Sequence, residues 1–238
     1  MPLSDSPVDP ETLKREAARE ALDRVRSGMR LGLGSGSTMR HFVDLLGEAL
    51  ASGRFSDIVG VPTSEATRAQ AASLGIPLGP LQEVQPLDLA VDGADEVDPA
   101  LNLVKGLGGA HLREKMIVQA SARFVVIADD SKWVPALGSR APLPVEVVPF
   151  AWEAHLAPLR DQGVDPVLRR TDDGSPYRTD NGNYVLHLHA DGRFQDPSAL
   201  EAWLRKRAGI VETGFFLGLA HEAILAGSGG IRTETRSA

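Results

Sequence analysis

Strand-sized apolar runs alternate with helix-periodic segments along the first half of this chain, and that alternation limits the fold more than any other feature. A helix is expected from Leu13 to Val25, with Asp9 as its N-cap and Pro10 at its first position. A strand at Met29–Leu33 then leads through Gly34-Ser35-Gly36-Ser37-Thr38 into a helical pattern from Met39 to Ala51. The unit recurs as strand Ile58–Val61 with helix Ala66–Leu74, and as strand Leu87–Val91 with helix Ala110–Ala122 and strand Phe124–Ala128. Strands separated by helices pair in parallel, and the helices cover both faces of the sheet. The expected class is therefore α/β, built on a Rossmann-like parallel sheet. Residues 1–9 read as a loose tail.

The pattern changes after Ala141-Pro142-Leu143-Pro144. A strand (Val145–Pro149), a helix (Ala151–Gln162), two strands (Asp165–Arg170 and Tyr184–His189), a helix (Pro197–Arg207) and a strand (Ile210–Phe216) follow in the ferredoxin-like order β-α-β-β-α-β. Residues 144–210 are thus expected to form a smaller ferredoxin-like α+β domain, and residues 1–143 with 211–238 the larger Rossmann-like one. The segments Glu222–Ala226 and Ile231–Thr235, joined through Ser228-Gly229-Gly230, read as a hairpin returning to the first sheet.

Composition narrows the function. Over 238 residues the formal net charge is −7, which gives no support for a nucleic-acid partner. No apolar run is long enough to span a membrane, and the polar, acidic start lacks the pattern of a signal peptide. The absence of cysteine excludes disulfides, thiolate nucleophiles and cysteine-bound zinc. A cytoplasmic protein acting on a small molecule is the expectation.

The chemistry concentrates in residues 91–115. Asp92 and Asp95 follow the end of a strand; Lys105 opens the glycine turn Lys105-Gly106-Leu107-Gly108-Gly109; Glu114 stands on the helix beyond. In open α/β sheets ligands bind at the strands' carboxyl edge, and acids beside a compact ammonium suit proton transfer next to a developing oxyanion. The chain has 20 arginines and only five lysines, so a lysine in a glycine turn is not its usual surface cation. Glu114 by itself is ambiguous, because Arg113-Glu114-Lys115 would also pass as an exposed helix face. The loop Ser35-Gly36-Ser37-Thr38 offers backbone amides and hydroxyls to an anion at a helix N-terminus. It lacks the Gly-Lys-Ser/Thr of a P-loop, and Ser37 occupies the third glycine position of the dinucleotide fingerprint, so a monophosphate fits better than a dinucleotide. Lys132, in Asp129-Asp130-Ser131-Lys132, follows a strand end and can add positive charge there.

Taken together these motifs resemble the type A ribose-5-phosphate isomerases. Gly-Ser-Gly-Ser-Thr, Thr-Ser-x-x-Thr at Thr63–Thr67, Asp-Gly-Ala-Asp-Glu, Lys-Gly-x-Gly-Gly, Arg-Glu-Lys, Asp-Ser-Lys, Leu-Pro-Val-Glu-Val and Thr-Asp-Asn-Gly-Asn occur in that family's order and approximate spacing, from about Leu13 to Ile231. The resemblance implies a cofactor- and metal-free aldose–ketose isomerase of the pentose phosphate pathway, interconverting D-ribose 5-phosphate and D-ribulose 5-phosphate through an enediolate. It makes Glu114 the proton-shuttling base and Lys105 the group that steadies the enediolate oxygen. Asp92 and Asp95 would bind sugar hydroxyls, assist ring opening and relay protons. The substrate-binding positions it implies are Ser35, Gly36, Ser37, Thr38, Gly93, Ala94, Gly106, Leu107, Gly108 and Lys132, with Lys14 near the phosphate. It also implies a homodimer or homotetramer. The chain departs from the family at Leu107, where a glycine is usual, and at His111, where an apolar residue is usual; leucine is costly at Leu107 if the backbone there takes a positive φ. A sugar-phosphate sensor of related fold would keep the phosphate loop and break the acid–base set, which here is intact. A sugar-phosphate deaminase or CoA transferase is permitted by fold analogy alone.

Overall fold

The computed structural model describes residues 9–236, so the tail expected over residues 1–9 lies outside the described residues save for Asp9. Asp9 caps helix α1 (Pro10–Leu22), its carboxylate accepting the Glu11 amide. Strand β1 (Arg30–Leu33), helix α2 (Ser37–Ala51), strand β2 (Val59–Pro62), helix α3 (Glu65–Ser73), the single turn α4 (Leu81–Val84) and strand β3 (Leu89–Asp92) follow. Next come β4 (Glu96–Val97), β5 (Leu103–Val104), α5 (His111–Gln119) and β6 (Phe124–Asp129). The remainder is β7 (Leu143–Val147), α6 (Leu156–Asp161), β8 (Asp165–Leu168), β9 (Tyr184–His189), α7 (Pro197–Leu204), β10 (Ile210–Thr213), β11 (Phe215–Phe216), β12 (Glu222–Gly227) and β13 (Gly230–Thr235).

The fold is α/β. Its central sheet has six strands in the order β13-β12-β6-β3-β1-β2, parallel except for β13. Alternate residues of the central strands feed two cores. Leu89, Val91, Val125 and Ile127 pack with α1 and α2, whereas Ala90, Phe124 and Val126 pack with Ile117 and Val118 of α5. A parallel sheet buried on both faces needs apolar residues at every position of its inner strands, and β3 and β6 have no exposed residue. The expected C-terminal hairpin does return to this sheet, β12 lying parallel to β6.

A four-stranded antiparallel sheet in the order β10-β7-β9-β8 spans Leu143 to Thr213, with α6 and α7 as its crossovers. Two expected elements are broken, each for a local reason. The helix expected over Ala151–Gln162 begins as a 3-10 turn at Trp152–His155, preceded by Ala151 at φ 51°, and becomes α-helical only at Leu156. Pro158 falls in the first turn of that restarted helix, where its missing N–H costs nothing; in one continuous helix it would break the ladder. The strand expected over Ile210–Phe216 is divided by Gly214. Its first part joins the four-stranded sheet, while β11 pairs with β5 in a separate three-stranded sheet, β11-β5-β4, whose strands β4 and β5 lie in the segment that apolar spacing predicts as loop.

That small sheet anchors the acidic loop. Glu96, fully buried, accepts hydrogen bonds from the amides of Gly138 (2.6 Å), Arg140 (2.5 Å) and Ala141 (2.9 Å), tying the loop of Asp92 and Asp95 to the segment that enters β7. A buried amide left without its acceptor carries its full desolvation cost. Glu96→Ala is expected to destabilise the protein by about 2–4 kcal/mol, read as a lowered urea midpoint with little change in slope.

Candidate active site

In the six-stranded sheet, β1 lies between β3 and β2, so the chain's direction of travel reverses at the β1–β3 pair. The loops leaving these two strands part there and leave a crevice at the carboxyl edge. The Gly34 amide donates to Val91 O at 2.9 Å, which sets the turn after β1 beside Asp92. Contact is close enough that a Cβ on Gly34 would fall 2.1 Å from Asp92 Oδ1. Only glycine permits the carboxylate to lie there. Asp92 Oδ1 then accepts the amides of Gly93 (2.7 Å) and Ser35 (3.1 Å).

A cavity of about 430 Å³ opens above this junction, walled by Lys14, Ser35–Thr38, Gly93–Asp95, Lys105, Gly106, Gly108, Glu114 and Asp129–Lys132, with Pro10 and Leu13 at its edge. Of the candidate residues named from sequence, Leu107 and Asp92 are not in its wall. Leu107 instead donates its amide to Asp95 Oδ2 at 3.0 Å. The positive φ angles of the turn fall on Gly106 (99°) and Gly109 (87°), not on Leu107, so leucine carries no backbone strain there. Asp92, 1 % exposed, lies beneath Lys105.

Lys105 is the centre of the arrangement. Its ammonium donates to Gly93 O at 2.5 Å and stands 3.0 Å from Asp92 Oδ2 and 3.3 Å from Glu114 Oε2. All three side chains are buried. Neither carboxylate oxygen facing the lysine has an aligned hydrogen-bond donor, so Asp92 Oδ2 and Glu114 Oε2 retain open acceptor capacity. Burial pushes the Glu114 carboxyl up to about 8; the negative charge of Asp92 adds to this and Lys105 opposes it. Burial also raises Asp92, against the pull of Lys105 and the two amides. For Lys105 burial acts downward, but Asp92, Glu114 and Asp95 outweigh it and hold the ammonium charged. Burial around one lysine therefore raises both carboxyls above the usual carboxylic range.

Helix α5 aims Glu114 through its neighbours. Successive helical residues point about 100° apart. Arg113 reaches Glu65 (2.8 Å) and Asn181 (3.0 Å), Glu114 faces Lys105, and Lys115 binds Glu212 (2.7 Å) and Thr213 O (2.8 Å). The alternative of an exposed helix face is thus overturned for Glu114 and Lys115, both buried. His111, at the start of α5, is also fully buried, and burial with the nearby Lys115 charge lowers its pKa to about 4, so it packs as a neutral ring.

Across the cavity, α2 begins after Gly36, which is at φ 104° and gives no side-chain cap. The first amides of the helix are left for an anion. The Ser35 hydroxyl is engaged away from the cleft, 2.7 Å from Thr63 Oγ1 and 2.8 Å from Ser64 Oγ; this explains the Thr63–Thr67 motif, for which sequence supplied no role. Lys14 lines the cavity with its ammonium 2.6 Å from Glu11. Lys132 has no ion-pair or hydrogen-bond partner among the described residues. Sequence reasoning also gave no role to Asp129, whose carboxylate accepts the Ser131 amide at 3.1 Å and shapes the Lys132 turn; its place at the end of the six-residue strand β6, after the apolar Phe124–Ala128, was the available signal. Among the described residues no group of three or more histidines and acids is placed to hold a metal ion.

Residues 59–230 match the model of the family described as ribose 5-phosphate isomerase A (phosphoriboisomerase A). The chain is 52% identical over 227 residues to a ribose-5-phosphate isomerase A of Chloroflexus aurantiacus, covering 95% of each chain. It is 50% identical over 236 residues to one of Bradyrhizobium diazoefficiens, covering 95% of this chain and 96% of that one. Among solved structures it is similar to a D-ribose-5-phosphate isomerase in complex with phospho-erythronic acid, with TM-score 0.93, 40% identity and coverage of 96% and 100%.

A Glu114 carboxyl raised from an ordinary 4.5 to about 8 means that the folded protein binds more protons than the unfolded chain between those values. The stability contributed by the protonated group is complete below the lower value and is lost as pH rises through the upper one. Glu114→Gln, permanently neutral, is expected to melt with the native protein near pH ~4 and above it near pH ~9, as followed by thermal unfolding across pH.

Proposed function

The chain belongs to the ribose 5-phosphate isomerase A family, and we propose that the buried Asp92–Lys105–Glu114 cluster, facing the α2 anion loop, carries its reaction. The protein interconverts D-ribose 5-phosphate and D-ribulose 5-phosphate, an aldose–ketose isomerisation. The observation that carries the residue assignment is the placement of one base and one fixed cation at the floor of a cleft whose opposite wall presents unpaired helix amides.

The phosphate sits at the first turn of α2, within reach of Lys132, and its binding energy orients the far end of the sugar. In the open-chain aldose, the Glu114 carboxylate takes the proton from C2. The electron pair left behind forms the C1–C2 double bond, and charge moves onto O1, facing the Lys105 ammonium. Glu114 returns the proton to C1; the hydroxyl on O2 loses its proton as the new carbonyl forms, and O1 gains one. Asp95, in the cavity wall, meets the sugar hydroxyls and passes these protons. Asp92, beneath the lysine, acts through it by holding the ammonium charged and in place. A carboxyl near 8 suits a base that must both take and return a proton close to neutrality. Phospho-erythronic acid, held by the relative, supports this reading, since a carboxylate has the planar pair of oxygens of an enediolate. On the same reading the six-stranded-sheet unit carries the reacting groups and the unit expected over residues 144–210 braces them.

Glu114→Gln is expected to lower kcat by more than about 10³-fold while KM stays within a few-fold, in a coupled assay of ribulose 5-phosphate formation run in excess chelator. Near-native kcat in that variant would remove Glu114 as the base; loss of native activity in chelator would show a metal requirement. Lys132→Ala is expected to raise KM about 10-fold or more with a smaller change in kcat. An unchanged KM would place the phosphate elsewhere.

A further inference from the structure

Gly108, in the turn Lys105–Gly109, borders two adjoining cavities: the catalytic cleft, and a second of about 600 Å³ that shares Ser35–Ser37 with it and is further lined by Gly109, Ala110, Ser64, Gln70 and Tyr177. Gly108 is exposed where the two cavities meet, so hydrogen bonds help to set the position of its peptide. Two come from neighbouring segments, Lys105 N to Gly214 O (2.8 Å) and Leu107 N to Asp95 Oδ2 (3.0 Å), and a third lies within the turn, Gly109 N to Gly106 O (2.8 Å). The fourth comes from the connection between β8 and β9. The Tyr177 hydroxyl donates to Gly108 O at 3.0 Å.

This fourth bond completes a clamp on one peptide. The Gly108 carbonyl and the Gly109 amide belong to the same peptide plane; the first accepts from Tyr177 and the second donates to Gly106. The plane is therefore held at both ends. The tyrosine ring also lies against the α-carbon of Gly109, where a Cβ would come within 2.6 Å of it. Arg169 stacks on the ring, its guanidinium carbon 3.6 Å from the centroid, and the Tyr177 amide donates to Arg169 O at 3.0 Å. The brace is thus rigid and rooted beside β9. Tyr177 is not in the wall of the catalytic cleft. The preceding amide, that of Gly108, has no acceptor among the described residues, and Gly108 does line the cleft.

We infer that Tyr177 is a positioning residue for the isomerisation. By clamping the Gly108–Gly109 peptide, it presents the Gly108 amide to a substrate oxygen and holds the spacing between Lys105 and the helix that carries Glu114. This inference rests on the isomerase reading above.

The test is Tyr177→Phe, which keeps the ring and removes only the donor. Expected are a kcat about 5- to 10-fold lower, KM within about two-fold of native, and a thermal midpoint within about 2 °C. Hydrogen exchange at the Gly109 amide should accelerate in the same variant, and Tyr177→Ala should lose more kcat than Tyr177→Phe. A native kcat in Tyr177→Phe overturns the inference. So does a rise in KM alone, which would make Tyr177 a binding wall, or a loss of activity that follows a fall in thermal midpoint. Native protein is assayed alongside: if it fails to convert ribose 5-phosphate, the isomerase reading has failed, and Gly109 exchange still decides whether the brace exists.

Discussion

The structure turns on one buried ammonium held between two buried carboxyls. Lys105, Asp92 and Glu114 are each less than 5 % exposed, and bringing such charges out of water costs several kcal/mol per ion before their attraction returns any of it. The protein meets that cost with fixed dipoles rather than with water. Two amides point at Asp92, and the Gly93 carbonyl accepts from Lys105. What remains uncompensated appears as a raised Glu114 pKa, which is the property a proton-shuttling base needs. On the proposed mechanism, stability is given up at the place where the proton is moved.

Both larger sheets bear on that lysine. The parallel sheet sets β1 and β3 side by side and so brings Gly34 under Asp92. The four-stranded sheet reaches the lysine through Gly214, where the chain crosses from β10 to β11. A Cβ there would lie 2.2 Å from Lys105 O, so the crossing requires glycine. Lys115 ties α5 to Glu212 at the end of β10. Glu146 of β7 gathers the Thr-Asp-Asn-Gly-Asn turn, accepting from Thr179 (2.9 Å), Asn181 (3.1 Å) and Asn183 (2.8 Å), and Asn181 in turn meets Arg113 of α5. Motifs far apart in sequence, Leu-Pro-Val-Glu-Val and Thr-Asp-Asn-Gly-Asn, are two halves of one hydrogen-bonded support.

Local patterns made much of this legible. The β-α alternation, the Asp9-Pro10 start of α1 and the C-terminal hairpin follow from periodicity and capping, which act within a few residues. The strands β4 and β5, and the pairing of β11 with β5, were not legible, because two-residue pairings have no period of their own and form only when distant segments meet. Gly214 and Pro158 each divided an element that apolar spacing alone had joined.

For the site, the sequence by itself determined which residues could do the chemistry: two aspartates at a strand end, a lysine in a glycine turn, a glutamate on the next helix and an anion loop after the first strand. Those follow from residue type and short-range order. Only the tertiary structure decided their surroundings. Burial put Asp92 beneath Lys105 and left Asp95 in the cleft; the φ angles at Gly106 and Gly109 made Leu107 harmless; hydroxyl contacts turned Ser35 away from the cleft; and Lys132, without a partner among the described residues, differs from Lys14, which pairs with Glu11. The reason is physical: a side chain's charge, donors and reach are written in its own letter, whereas its solvent exposure and its partners are set by the rest of the chain.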